Sequence, residues 1–219
     1  MAEDQKDPAK ALRAALTDKL HIDLRRNPVE VSFEEGDLVI EGTVDGIAPK
    51  KRALLMAMSL EGVTGVVDRL KVAQSSAMTD TEVRQHALRA ISEEPTLNAL
   101  DITVEVTEGV VDLEGTVPSL THKRLAGVLA WWVPGSMDVI NSLEVDPPED
   151  DNEDEICDAV KLVLEKDRLV DAFKVRVAAR DWVVTLDGTV SSEGEKAAAE
   201  KDAWYVWGVN EVKNNLSVG

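Results

Sequence analysis

The chain has 219 residues, a formal net charge of −18 and a single cysteine. So acidic a surface repels phosphate backbones and anionic headgroups, which excludes nucleic acid as a partner and disfavours direct adhesion to an anionic membrane. Lone Cys157 allows neither an internal disulfide nor a cysteine metal framework. No stretch nears the roughly 20 apolar residues that a membrane-spanning helix needs, so the chain is read as not transmembrane.

In chain order, "MAEDQKDPAKALRAALTDKL" opens with acids and has no basic n-region or apolar h-region. It reads as the start of a cytoplasmic protein, periplasmic only had a leader been removed. Asp7-Pro8 places a cap before a first-turn proline, and Leu12, Leu16 and Leu20 then recur at helical spacing. A hairpin follows: Val29, Val31 and Phe33 alternate on the way up, Glu35-Gly36 marks a tight turn, and Leu38, Ile40, Gly42 and Val44 alternate on the way down. Ala53, Ala57 and Leu60 form one face of a second helix, and "VVDRLKV" reads as a closing strand. The order is α-β-β-α-β.

The rest of the chain spells these elements twice more. "IEGTV", "LEGTV" and "LDGTV" place Gly42, Gly115 and Gly188 at successive intervals of 73 residues. The same interval links Val31, Val104 and Val177, then Leu70, Leu143 and Leu216. Ahead of the hairpin the first copy is two residues shorter, so Leu12 corresponds to Val83 and Ile156. Thr79…Glu82 and Asn152…Glu155 have capping-box spacing at the later helix starts. A period of this length suits a small domain with a linker. We therefore expect three tandem α+β domains, 1–72, 79–145 and 152–219, each with two helices on one face of a three-stranded mixed sheet. The joints fall at 73–78 and at "DPPEDDNE", 146–153, which should be extended and solvated. That acidic run lacks the spaced oxygens and turn glycine of a calcium loop.

The repeated glycine sits on the inward face of the second strand, opposite a helix with two stacked alanines. Close approach of helix and sheet is the favoured reading, a bulge glycine with positive φ the alternative. Both are structural.

An α-β-β-α-β unit with a central G-T-V and the endings "EGVTGVVDRLKV", "PGSMDVINSLEV" and "WGVNEVKNNLSV" resembles the BON domain, the bacterial osmotically-induced and nodulation family. The resemblance covers the whole chain, three times in register. It implies non-enzymatic binding modules that interact with phospholipid or envelope components, often periplasmic and linked to osmotic shock. This chain departs in its acidity and in its opening residues.

No chemistry emerges from the remaining residues. His21, His86 and His122 lie in separate copies or elements, without HxH or HExxH spacing. There is no phosphate loop and no G-x-S-x-G, so we assign no catalytic residue, cofactor or metal. Lys50, Lys123 and Lys196 share a column at the start of the second helix, either as three anion sites or, preferably, as surface lysines covering apolar surface with their stems. Asp68, Asn141 and Asn214 form a polar column that should bond nearby backbone and fix the turn into the last strand. The aromatics are the candidate contact residues: Trp131 and Trp204 in one column, Trp132 and Tyr205 in the next, Trp207, and Trp182 at a hairpin tip in place of the turn glycine. Packing between the second and third copies, a protein-partner surface and shallow phospholipid contact are the competing readings. The expectation is a stress-linked binding or scaffold protein acting through protein contacts, with a peripheral phospholipid binder as the alternative.

Overall fold

The computed structural model describes residues 7–73 and 78–219. Most of the first expected joint, 74–77, and the first six residues lie outside the described residues. The described residues up to Ala73 form one compact unit, and those from Met78 onward form a second.

In the first unit, α1 (Pro8–Asp18) begins where the Asp7 carboxylate accepts the Ala9 N–H at 2.9 Å, with Pro8 in the first turn. Strands β1 (Val29–Glu34) and β2 (Asp37–Val44) are antiparallel, joined through Glu35 and Gly36, both at positive φ (53° and 100°). Two positive φ values give the mirror-image turn whose twist matches that of the flanking strands. Helix α2 (Ile47–Met58) carries the chain over the sheet, so β3 (Gly65–Val72) returns parallel to β2. A parallel return requires such a crossover. Leu12 and Leu16 of α1, Ala53 and Ala57 of α2, and Leu38, Ile40, Val44 and Leu70 of the sheet are fully buried. Each such leucine or isoleucine contributes roughly 1.5–3 kcal/mol by leaving water.

The second unit builds this module twice. Helices α3 (Asp80–Glu93) and α4 (Leu120–Trp132) lie with β4 (Ile102–Thr107), β5 (Val110–Val117) and a closing strand split into β6 (Asp138–Asn141) and β7 (Glu144–Val145). The third copy consists of α5 (Glu153–Lys166), β8 (Val175–Arg180), β9 (Val183–Val190), α6 (Glu193–Tyr205) and β10 (Glu211–Val218). In each copy the middle strand is antiparallel to its hairpin partner and parallel to the last strand, as the periodicity predicts. Thr79 and Glu82 form the expected capping box. Asn152 caps α5 through the Asp154 and Glu155 N–H groups at 2.9 and 3.1 Å, but the Glu155 carboxylate turns away to the Thr121 hydroxyl at 3.4 Å.

The repeated glycine has a different obstacle from the one the sequence suggests. Gly42, Gly115 and Gly188 have φ of 142°, 133° and 143°, a region that side-chain-bearing residues rarely adopt. A Cβ at these positions would overlap the carbonyl oxygens of Pro28, Asp101 and Lys174. Those carbonyls enter the neighbouring hairpin strand, so the close approach is of backbone to backbone rather than of helix to sheet. The register with β3 runs one-to-one past Gly42, from Asp37↔Gly65 to Val44↔Val72, whereas pairing with β1 ends at Val29↔Gly42. The alanines opposite, Ala126 and Ala130 for Gly115, are fully buried, but they are not what the glycine avoids.

The two polar columns interlock. Asp68, Asn141 and Asn214 accept the N–H two residues on, at 2.9, 3.4 and 3.2 Å. The Asn141 and Asn214 amides also donate to the Lys123 and Lys196 carbonyls, at 2.7 and 3.0 Å. In the first copy Asp68 instead meets the Lys50 ammonium at 2.9 Å. Lys50 and Lys196 turn inward onto the Leu70 and Leu216 carbonyls, at 2.5 and 2.6 Å. These lysines bind the last strand; they neither lie out over the surface nor offer an open anion site.

Candidate interaction surfaces

The aromatic columns converge between the second and third modules. The Trp131 ring stacks on Tyr205 with centroids 5.3 Å apart and planes 14° from parallel. Trp132 donates its indole N–H to Asp202 Oδ1 at 2.9 Å. Trp204 is 1% exposed. Stacked rings contribute about 0.5–1.5 kcal/mol beyond the area they bury. The seam therefore packs α4 against both helices of the third module, α5 most extensively, with the aromatic stack and the Trp132–Asp202 bond reaching α6.

Charge frames this contact. Arg124, 1% exposed on α4, donates Nε–H to the Trp207 carbonyl at 3.0 Å and pairs through Nη2 with Asp151 at 2.5 Å. Glu149 accepts the Leu120 N–H at 2.8 Å, where the start of α4 favours an anion. The acidic joint is thus pinned to α4 at these two acids rather than freely solvated. At the far end, Lys166 of α5 meets Glu94, the C-cap of α3, at 2.9 Å. Burial pushes the Glu94 carboxyl up, but bonds from Lys166 and Thr96 outweigh it and hold the group below the usual carboxylate range.

The remaining aromatics lie outside the stack. Trp207 is half exposed, with the Lys123 and Arg124 cations each 5.7 Å from its ring centroid. Trp182 is half-buried in the β8–β9 turn at φ 61°, where its carbonyl accepts the Asn210 N–H at 2.9 Å. Among the described residues the most exposed large apolar side chains are instead Phe173 (100%) and Leu169 (72%), on the segment joining α5 to β8. Arg168, Lys174 and Arg176 flank them, all exposed. An open groove of about 720 Å³ runs from Phe173 past Arg176 and Asp187 to Asn215 and Ser217. Sequence reasoning missed this pair because neither residue belongs to a column of aromatics.

Among the described residues, no group of three or more His, Cys, Asp and Glu is arranged to hold a metal ion, and no helix is long and apolar enough to cross a membrane. Cys157 is half-buried, with Sγ 3.2 Å from the Val177 carbonyl.

Three α-β-β-α-β modules, two of them joined through their helices, define a tandem-module protein of one family. The BON domain model matches residues 8–74, 79–147 and 152–219, and the chain belongs to the BON domain family. It is 30% identical over 145 residues to osmotically-inducible protein Y of Escherichia coli (strain K12), covering 64% of this chain and 72% of that protein. Two structures of CdsD, a structural protein of the type III secretion system of Chlamydia trachomatis, align over 90% of this chain and 93% or 88% of theirs, at 18% identity. Their TM-scores of 0.28 carry no argument about this protein.

Proposed function

We propose that the protein is a non-catalytic binding or scaffold protein of osmotic stress that acts through protein contacts. The observation that carries this reading is the seam itself: one BON module recognises another through second-helix aromatics and a buried arginine. Kinship with an osmotically inducible protein supports the stress setting. The test is cross-linked pull-down with the intact chain from osmotically shocked and unshocked cells. A discrete protein partner enriched by shock is expected; no retained protein under either condition overturns the reading.

A second reading, a peripheral phospholipid binder, draws support from Phe173 and Leu169 with their basic neighbours rather than from the tryptophans. Exposed apolar side chains flanked by cations suit an anionic interface. Co-sedimentation with anionic vesicles, weakened by salt and abolished in Phe173→Glu, is the expected result. No pelleting with neutral or anionic vesicles removes this reading.

A further inference from the structure

Asp202 breaks its column. The equivalent second-helix positions hold Met56 and Leu129, so the module requires no carboxyl there. Asp202 is nevertheless 3% exposed, within the seam. Oδ1 accepts the Trp132 indole N–H at 2.9 Å, and Oδ2 is buried with no donor to meet it. A buried carboxylate oxygen left unpaired is costly, and protonation removes most of that cost.

The groups around it act unequally. Burial pushes the Asp202 carboxyl up to about 8; the Trp132 bond opposes this, the Asp167 carboxylate at the end of α5 adds to it, and Lys201 on α6 offsets it slightly. Tyr205, also on α6, is itself raised by burial, with the negative charge of Asp202 a smaller contribution. From α3, His86, Arg89 and Glu93 reach a groove of about 230 Å³ that they share with Trp132.

We propose that Asp202 is a proton-operated latch on the seam between the second and third BON modules, closed while its carboxyl is protonated and loosened when the proton is lost to water. The protonated acid still accepts the Trp132 indole N–H at Oδ1 and carries its hydrogen on Oδ2, so that no charge is left buried there. Ionisation leaves two carboxylates facing each other in a poorly solvated place. The closed-state carboxyl lies above its ordinary value of 3.8, so the latch is fully effective below that pH. Its contribution declines as pH rises toward about 8 and is flat beyond. Seam closure should weaken by up to about tenfold per pH unit within that window.

The test is hydrogen exchange on the full chain at pH 6, 7, 8 and 9, corrected for intrinsic rates and read over α4 and α6. Wild type should lose protection of these helices between pH 6 and 8, with little further change at pH 9. Asp202→Asn keeps the Trp132 bond and should be flat over the same range. Asp202→Leu carries the side chain of the second copy and should also be flat, which guards against misfolding of the first variant. Asp167→Asn should move the end of the fall to lower pH. A loss that persists in both Asp202 variants, as one driven by His86 would, overturns the proposal; so does a flat wild type.

Discussion

The first compact unit and the second are built from the same module, yet the same helix face meets different fates in them. On α2 and its C-cap the outer positions are Leu55, Met58 and Ser59, and Met58 is 68% exposed. On α4 the equivalents are Val128, Trp131 and Trp132, and Val128 is fully buried. On α6 the Met58 column holds Trp204, 1% exposed. Inward columns such as Leu38, Val111 and Val184 stay apolar and buried in all three copies. The module's interior is therefore a constant, and specialisation occurs on the outer face of the second helix, where adding rings turned a surface into a seam.

All five tryptophans lie in the second unit, so their fluorescence separates the two. The largest effect should come from Gly115→Val, which forces a side chain into the Asp101 carbonyl at a φ that valine resists. Overlap and strain together should cost about 4 kcal/mol or more, seen as a lower urea midpoint by fluorescence. Gly42→Val should damage the first unit and leave that fluorescence transition in place. A shared transition would break the comparison. Next, Trp204→Ala should cost about 3–5 kcal/mol, whereas Met58→Ala in the same column should stay within about 0.5 kcal/mol. Equal losses would show that the outer face of α2 matters to stability as much as that of α6.

Arg124→Ala removes a buried partner of Asp151 and of the Trp207 carbonyl. We expect about 2–3 kcal/mol, below the range for fully buried pairs because Asp151 keeps some solvent. The smallest effect concerns Glu195. The Ser191 hydroxyl, with the Asp171 and Ser191 N–H groups, holds this carboxyl at about 2. Its folded value lies below the ordinary one, so its contribution is present above about pH 4.5 and lost as pH falls through 2. Urea midpoints measured at pH 5 and pH 2.5 should therefore differ less in Glu195→Gln than in wild type. Glu195 and Asp202 thus share a helix while titrating in opposite senses, because one carboxylate is met by three donors and the other by burial and a second acid.

Much of the fold was legible in the residues. The strict 73-residue interval, the alternation through Val29–Val44 and the caps at Asp7, Thr79 and Asn152 report local and periodic physics, which a chain carries in one dimension. The glycine column was legible too, and a positive φ was one of the two readings it allowed, but the obstacle that a side chain would meet was not. Alanines opposite a glycine suggest a helix, while the carbonyl of Pro28 or Asp101 comes from backbone that composition cannot reveal. The seam was foreseeable as aromatics in matched columns, and the partners that complete it were not. Arg124 with Asp151, Glu94 with Lys166, and Trp132 with Asp202 join residues whose separations follow no period. Asp202 did leave a trace, as an acid in a column of Met56 and Leu129.

By itself, the amino-acid sequence determined three copies of one module, their element order and which faces turn inward, because hydrophobic periodicity and capping act over a few neighbouring residues. Only the tertiary structure decided which two copies pack within one unit, which aromatics became interior and which carboxyls lost their water. Those outcomes depend on desolvation and on contacts made across dozens of residues, where no local rule applies.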